Sequence, residues 1–215
     1  MSALPDSSDG KLSRASAQRL SQYLRCVARA ARAGLPISSE ALSEAVGVSA
    51  AQVRRDLGAI GHSGLRGIGY DAAGLAAAIR KKLGLNRQWR TVLVGVGNLA
   101  RALLRHRGFA EQGFEIVALF DSDTAKIGTQ MDELIVQDTA TLSEGIPCVK
   151  AELAILTVPS DAAQIVADQL VKAGIKGIMN FAPVLLKTPS SVHIITVDLA
   201  IQMEQLAFAV QVGEG

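Results

Sequence analysis

Apolar residues return along the chain in two rhythms, and the change of rhythm divides it. From Ser16 onward, Leu20, Tyr23, Leu24, Val27, Ala28 and Ala31 recur at helical spacing among Arg19, Arg25, Arg29 and Arg32. This predicts an amphipathic helix with a basic outer side. Gly34 and Pro36 stop it. Ser38 or Ser39 can cap a short second helix, Glu40 to Val46, with Leu42 and Val46 turned inward. After Gly47, Ser49-Ala-Ala-Gln52 has the form of a capping box and starts a third helix, with Val53, Leu57 and Ile60 on one face. Gly61 to Tyr70 holds four glycines in ten residues and is no helix. Its alternating Leu65, Ile68 and Tyr70 suggest a hairpin with Arg66 near the tip. Asp71 to Leu83 reads as a linking helix, and Gly84 to Trp89 as a joint.

Beyond the joint, short apolar runs replace the helical spacing. Thr91–Val94, Glu115–Asp121, Ala151–Pro159, Gly174–Pro183 and Val192–Val197 read as strands. Helical stretches fall between some of them, Leu99–Arg107 after the first and Asp161–Ala173 after the third. Strands alternating with helices predict a parallel sheet whose ligand sits outside the strand C-terminal ends. The last run, Asp198–Gln211, is apolar around most of a helix: Leu199, Ile201, Met203, Leu206, Phe208 and Val210 fit no single stripe. Such a helix needs cover on several sides, and a partner subunit is the simplest source. The expected fold class is α/β: an N-terminal winged-helix (helix-turn-helix) domain, then a Rossmann-like parallel-sheet domain and a C-terminal helix. The expected boundaries are a disordered tail at 1–15, the winged helix at 16–88, the nucleotide domain at 89–198 and the terminal helix at 199–215.

Charge sharpens this division. The 215 residues carry a net charge of +2, yet residues 1–90 hold 14 Lys/Arg against 6 Asp/Glu and the remainder 8 against 14. A basic first half points to a polyanion. No apolar run reaches the roughly 18–20 residues of a membrane span. The short, polar, acidic start is neither a signal nor a transit peptide. Cys26 and Cys148 have no metal-ligand spacing and read as reduced thiols of a cytoplasmic protein.

The chemistry concentrates in two places. In the first half, Arg55 lies nearly opposite the apolar stripe of the third helix, with Gln52 and Arg54 on its flanks. A helix-turn-helix inserts this helix in a major groove, and arginine's planar fork suits guanine or phosphate. Arg66, on a wing, would reach a minor groove or its flanking phosphates. Ser49, Gln52, Arg54, Arg55, Arg66 and Gly67 are the candidate DNA contacts. In the second half, Gly95-Val96-Gly97-Asn98-Leu99-Ala100 follows a strand and opens a helix, the order of a dinucleotide fingerprint. Gly95 permits the tight turn, Gly97 leaves room for a pyrophosphate, and Ala100 allows close helix packing. Asp121 falls 24 residues beyond Gly97, near the position of a ribose-binding carboxylate, with Asp123 as its competitor. A carboxylate there repels a 2′-phosphate, so NAD is preferred over NADP. Thr157-Val158-Pro159 and Asn180-Phe181-Ala182-Pro183 end two further strands and are expected to converge on the same cleft.

Taken together, these segments resemble the Rex family of redox-sensing transcriptional repressors. The resemblance runs from about Ala17 to Ala209 and is carried by Tyr23-Leu-Arg25, Gln52-Val-Arg-Arg-Asp-Leu57, Arg66-Gly-Ile-Gly-Tyr70, Leu83-Gly-Leu-Asn-Arg87, Val94-Gly-Val-Gly-Asn-Leu99, Gly108-Phe109, Phe120-Asp121, Thr157-Val-Pro159, Asn180-Phe-Ala-Pro183 and Val197-Asp-Leu199. It implies a homodimer that binds operator DNA when free or NAD+-bound and releases it when NADH closes the dimer. It also implies a C-terminal helix swapped into the partner, a switch pairing of Arg25 with Asp198 across the dimer, and Arg54, Arg55 and Arg66 at DNA-contacting positions. Two departures stand out. Ala100 replaces the commoner glycine, and His106 stands where the family has a tyrosine that contacts the aspartate matching Asp198. As imidazolium, His106 can take over that contact and make the switch pH-dependent.

Two other readings follow from the residues alone. One is a small NAD-dependent dehydrogenase. Only about 110 residues separate Thr91 from the terminal helix, which leaves no substrate domain, and His62, His106 and His193 have no acid–base partner in sequence. The other is a DNA-binding protein whose nucleotide fold takes CoA or serves only as structure. A redox sensor must bind its ligand with different free energies in two conformations. NAD+ and NADH differ in ring charge and planarity, so an apolar nicotinamide pocket is expected, with Phe109, Pro159, Phe181 and Pro183 as candidates for its lining. No catalytic residue is expected; NADH and NAD+ are effectors.

Overall fold

A computed structural model describes residues 12–65 and 67–213. The chain divides into two compact units at Arg87/Gln88.

The first unit is built on α1 (Arg14–Arg32), α2 (Ser39–Val46), α3 (Ala50–Ala59) and α4 (Ala72–Lys82). Helix α1 starts inside the stretch expected as tail, because the Ser13 hydroxyl caps it by accepting from the Ser16 N–H; residues 1–11 lie outside the described residues. Leu20, Tyr23, Leu24 and Val27 bury its apolar stripe against Leu42, Val53, Leu57, Leu75 and Ile79. Helix α4 is therefore more than a link. It packs along α1 and fills the core with Leu75 and Ile79, while Asp71 caps it through the Ala73 and Gly74 N–H groups. The two middle helices are joined by Gly47, whose φ of +73° ends α2.

The wing is smaller than a regular hairpin. Leu65 and Gly69 exchange two backbone hydrogen bonds of 2.8 and 2.9 Å, and Tyr70 pairs with Ile37. Gly69 (φ +93°) cannot be replaced there, because an added Cβ would stand 2.6 Å from the Ile37 carbonyl oxygen.

In the second unit, seven strands among the described residues form one sheet in the order β3-β4-β2-β1-β5-β6-β7. They are β1 (Trp89–Val94), β2 (Phe114–Asp121), β3 (Gln130–Met131), β4 (Leu134–Asp138), β5 (Leu153–Leu156), β6 (Gly177–Asn180) and β7 (His193–Thr196). All pairs are parallel except β3 with β4. The β3–β4 hairpin and helix α7 (Leu142–Cys148) fill a stretch that the apolar pattern leaves blank. The helix expected over Leu99–Arg107 is two helices, α5 (Asn98–Leu104) and α6 (Arg107–Glu111), because the chain is extended at His106. No helix separates β6 from β7, so the helix–strand alternation ends there.

Each face of the sheet has its own core. Val92, Val94, Ala118, Phe120, Ala154, Leu156 and Ile178 point to α7 and α8 (Ser160–Lys172). Leu93, Leu119 and Ile155 point to Val96, Ala100 and the flanking α5 and α6. Over β5, β6 and β7 this second face carries no helix of its own unit. It forms an apolar hollow of about 300 Å³ bordered by Phe109, Ile155, Met179 and Ile195. Helix α9 (Leu199–Val212), capped by the Asp198 carboxylate, leaves Leu199, Ile201, Met203, Leu206, Phe208, Val210 and Val212 exposed. No helix is long and apolar enough to cross a membrane among the described residues.

Leu75→Ala removes a fully buried side chain from between α1 and α4. It is expected to cost about 2–5 kcal/mol, read as a lowered midpoint for the first unit in urea unfolding followed by circular dichroism.

Candidate functional site

The glycine turn sits at the switch point of the sheet, where β1 lies between β2 and β5. Gly95 has φ +91°, and an added Cβ would stand 2.7 Å from the Thr157 carbonyl oxygen. The β1 and β5 turns thus cross in contact. Gly97 has the opposite environment: nothing lies within 4 Å of where its Cβ would be, so backbone is open to a ligand there. No side chain caps the start of α5. Ala100 is buried among Leu93, Leu119 and Ile155 and acts as a packing residue.

Around this turn lies a cleft of about 640 Å³. Of the expected residues it takes in Gly95, Val96, Gly97, Asp121, Asp123, Thr157, Val158 and Pro159, and it adds Ser122, Lys126, Thr139, Ile165 and Gln169. The Asn180–Pro183 turn is not among its walls. Asn180 is 0% exposed; its amide donates to the Ala182 and Val184 carbonyls at 3.0 Å each and accepts from the Ala182 N–H at 2.9 Å. It braces its own turn. Ala182 is buried beside it, and Phe181 packs on the second sheet face. The four expected nicotinamide neighbours do not share a pocket either: Pro159 lines the cleft and Phe109 the separate apolar hollow.

Asp121 has a stronger structural role than the ribose expectation assigned to it. Only 6% exposed, it accepts from the Val96 N–H at 2.6 Å, the Asp123 N–H at 2.9 Å and Lys126 Nζ at 3.1 Å. It ties the glycine turn to the end of β2. Burial by itself would raise its pKa; the hydrogen bonds from Asp123, Val96 and Lys126 outweigh that and hold it below the ordinary carboxylate value. Asp123 is more open and lies 3.5 Å from Lys126. The Thr157 hydroxyl donates to the Gly95 carbonyl at 2.6 Å. Lys126 carried no recognisable signal in sequence, because only the fold turns it back on Asp121.

The residues expected to contact DNA are just as specifically placed. Ser49 caps α3, accepting from the Gln52 N–H at 3.1 Å. The return bond of a capping box is absent: Gln52 turns its amide to Asp56 and Arg55 instead. Arg54 leans back onto α2, donating to Ser39 Oγ at 2.8 Å and pairing with Glu40 at 3.2 Å. An exposed pair of this kind is worth little and is free to exchange with phosphate. Arg54 borders a hollow of about 570 Å³ between α2, α3 and the wing, in which Gly67 also takes part. Arg66 lies outside the described residues.

Asp56 was missed. It is 4% exposed and grips Arg19 of α1 through Nε at 2.6 Å and Nη2 at 2.8 Å. The signal was present in the spacing: Val53, Asp56, Leu57 and Ile60 form one helical face, and an acid on that face requires a buried partner. Arg25 is exposed on α1. His106 meets Phe109 edge-on, ring centroids 5.1 Å apart. Asp198 accepts from the Ala200 and Ile201 N–H groups as the cap of α9.

Comparison with known proteins decides the family. The redox-sensing transcriptional repressor Rex of Rhodopirellula baltica is 47% identical over 94% of this chain and 85% of its own. The chain belongs to the Rex family. The Rex of Carboxydothermus hydrogenoformans is 44% identical over 94% of this chain and 97% of its own. Two family models match, a CoA binding domain over residues 86–184 and a putative DNA-binding protein N-terminus over 11–58. RSP, a Rex-family repressor solved with β-NAD+ and operator DNA, superposes with a TM-score of 0.88 at 35% identity, covering 94% of each chain. RSP solved with β-NADH gives 0.83 at 34% identity, covering 94% of this chain and 96% of its own.

The Asp121 tie makes a pH prediction. A depressed carboxyl pKa contributes stability that is complete above the unfolded value of 3.8 and is lost as pH falls through the lower folded value. Urea unfolding between pH 2 and 7 is expected to show a steeper acid loss in the parent than in Asp121→Asn, which is also the less stable at neutral pH.

Proposed function

We propose that this chain is a DNA-binding transcriptional repressor that senses the NADH/NAD+ ratio and releases operator DNA when NADH binds. The observation that carries this reading is the likeness, over 94% of the chain, to a repressor solved with a nicotinamide dinucleotide and operator DNA, joined to a glycine turn open at Gly97. The pyrophosphate lies along Gly95–Ala100, against the backbone of Val96, Asn98 and Leu99. Asp123 is the ribose acceptor, with Asp121 holding the turn in place. Thr157, Val158 and Pro159 form one wall, and Asn180–Pro183 supports it from behind. NAD and CoA both carry an ADP group, but a phosphorylated ribose would meet Asp121 and Asp123, whose charge Lys126 offsets only in part. That favours NAD.

Ser49, Gln52, Arg54, Arg55, Arg66 and Gly67 face the duplex. The functional unit is a homodimer. In it α9 is swapped onto the partner, which supplies cover for a helix apolar around most of its circumference; the bare sheet face over β5–β7 is a surface of matching character. Arg25 and Asp198 pair across the dimer in the DNA-binding state, and His106 with Phe109 reports the nicotinamide to that pair. The nucleotide is an effector and no hydride is transferred, in keeping with the repressors the chain resembles. The protein works in the cytoplasm, where its operator lies.

Operator mobility shifts at fixed salt, with NADH, NAD+ and NADPH titrated separately, test the sensor. NADH is expected to release DNA at concentrations where NAD+ and NADPH do not; equal effects of NADH and NAD+ would refute it. Met203→Glu with Phe208→Glu places charge on α9. Light scattering after gel filtration is expected to read a dimer for the parent and a monomer or aggregate for the variant; an intact dimer sinks the swapped-helix reading.

A further inference from the structure

Asp56 is saturated from inside the protein. Its Oδ2 accepts from Arg19 Nε and from the Tyr23 hydroxyl at 3.1 Å, and its Oδ1 from Arg19 Nη2 and from Gln52 Nε2 at 3.0 Å. Four bonds match what an ionised carboxylate accepts, so it has nothing left for a duplex. A buried ion pair is weak evidence for stability, since apolar residues of the same volume serve as well. The fourth bond is the informative one. It leaves the core and continues along the exposed side of α3, where Gln52 Oε1 accepts from Arg55 Nη1 at 2.9 Å.

Because an ionised Asp56 can only accept, it can hold Gln52 only by the amide nitrogen. The reversed amide would set oxygen against oxygen. The carboxylate therefore decides which end of Gln52 faces outward, and that end can only accept, so it draws in a donor. Arg55 supplies it with one of its five N–H groups and keeps four. The exposed result is a guanidinium held at one corner, with its remaining donors forming a fork. Such a fork matches the two acceptors of guanine, O6 and N7, in the major groove.

We propose that Asp56 is a positioning residue for base readout: anchored on α1 by Arg19 and Tyr23, it orients Gln52, which aims Arg55 at a guanine. This rests on the operator-binding reading above. The relay runs from the core to the groove through three side chains, and it makes the recognition-helix surface depend on a group that never touches DNA.

The test uses the full-length chain and the duplex it selects from a random library. Affinity is measured at one salt concentration for that duplex and for versions with each G·C pair replaced in turn by A·T. In the parent, one guanine per half-site is expected to matter by about 5- to 150-fold, the range of a bidentate contact. Arg55→Ala removes the discrimination at that guanine. Gln52→Leu, which keeps a side chain of similar size at a half-buried position, is expected to reduce it at least 5-fold at the same guanine, to keep the parent's ratios elsewhere, and to lose nothing further when combined with Arg55→Ala. Asp56→Asn should follow Gln52→Leu in pattern, with a lower thermal midpoint; if it does not fold, Gln52→Leu decides alone. Discrimination left intact in Gln52→Leu but lost in Arg55→Ala overturns the relay and spares the operator reading. A loss spread evenly over all base pairs also overturns it, since that is what a merely structural role would give. A parent that selects no duplex overturns the operator reading and the relay with it.

Discussion

The second unit hangs on a backbone crossing that only glycine allows. At Gly95 the turn after β1 passes so close to the turn after β5 that a single added carbon would stand 2.7 Å from the Thr157 carbonyl. The Thr157 hydroxyl then closes the contact by donating to the Gly95 carbonyl. Two loops at the carboxyl edge of neighbouring parallel strands are thereby locked together, and the cleft is the space they leave on their outer side. The position of Gly97, the open start of α5 and the reach of Asp121 to the Val96 N–H all follow from that crossing.

Asp121 and Asp56 are the same device used twice. Each is a buried acid on a regular element, satisfied entirely by groups of the protein, and each steadies neighbouring residues that are expected at a ligand. Asp121 does it through backbone N–H groups and one lysine; Asp56 does it through an arginine fork, a phenol and an amide. Burial pushes the Tyr23 hydroxyl up to about 12, and the bond to Asp56 adds to the shift, so the phenol remains a donor over the whole physiological range. Removing one partner from either cluster would strand a charge, which is why both are costly to alter.

Much of this was legible in the residues. The 3.6-residue spacing of Leu20, Tyr23, Leu24 and Val27 and the Ser49 cap define their helices because local chemistry decides them. The run Thr91–Gly97 announces its strand and turn for the same reason. What escaped depends on distance in the fold. The β3–β4 hairpin is short and half exposed, so it has no alternating apolar signature. The helix after Gly97 divides at His106 for no reason visible in composition. The turn after β6 folds inward, with Asn180 using its amide on its own backbone and Ala182 buried beside it, an arrangement that nothing in the local pattern announces. Lys126 and Arg19 find their carboxylates from 5 and 37 residues away, and only the register of the fold brings those pairs together.

The terminal helix sets a limit on how this molecule can move. Seven large apolar side chains stand exposed on α9, and each is worth roughly 1.5–3 kcal/mol when fully covered. A step that uncovered them would cost more than the binding of one small effector commonly supplies. Once a partner covers α9, as proposed above, any large rearrangement keeps it covered while the rest turns about it. In the proposed dimer the helix is an axle: it permits rotation of the two chains and opposes their separation.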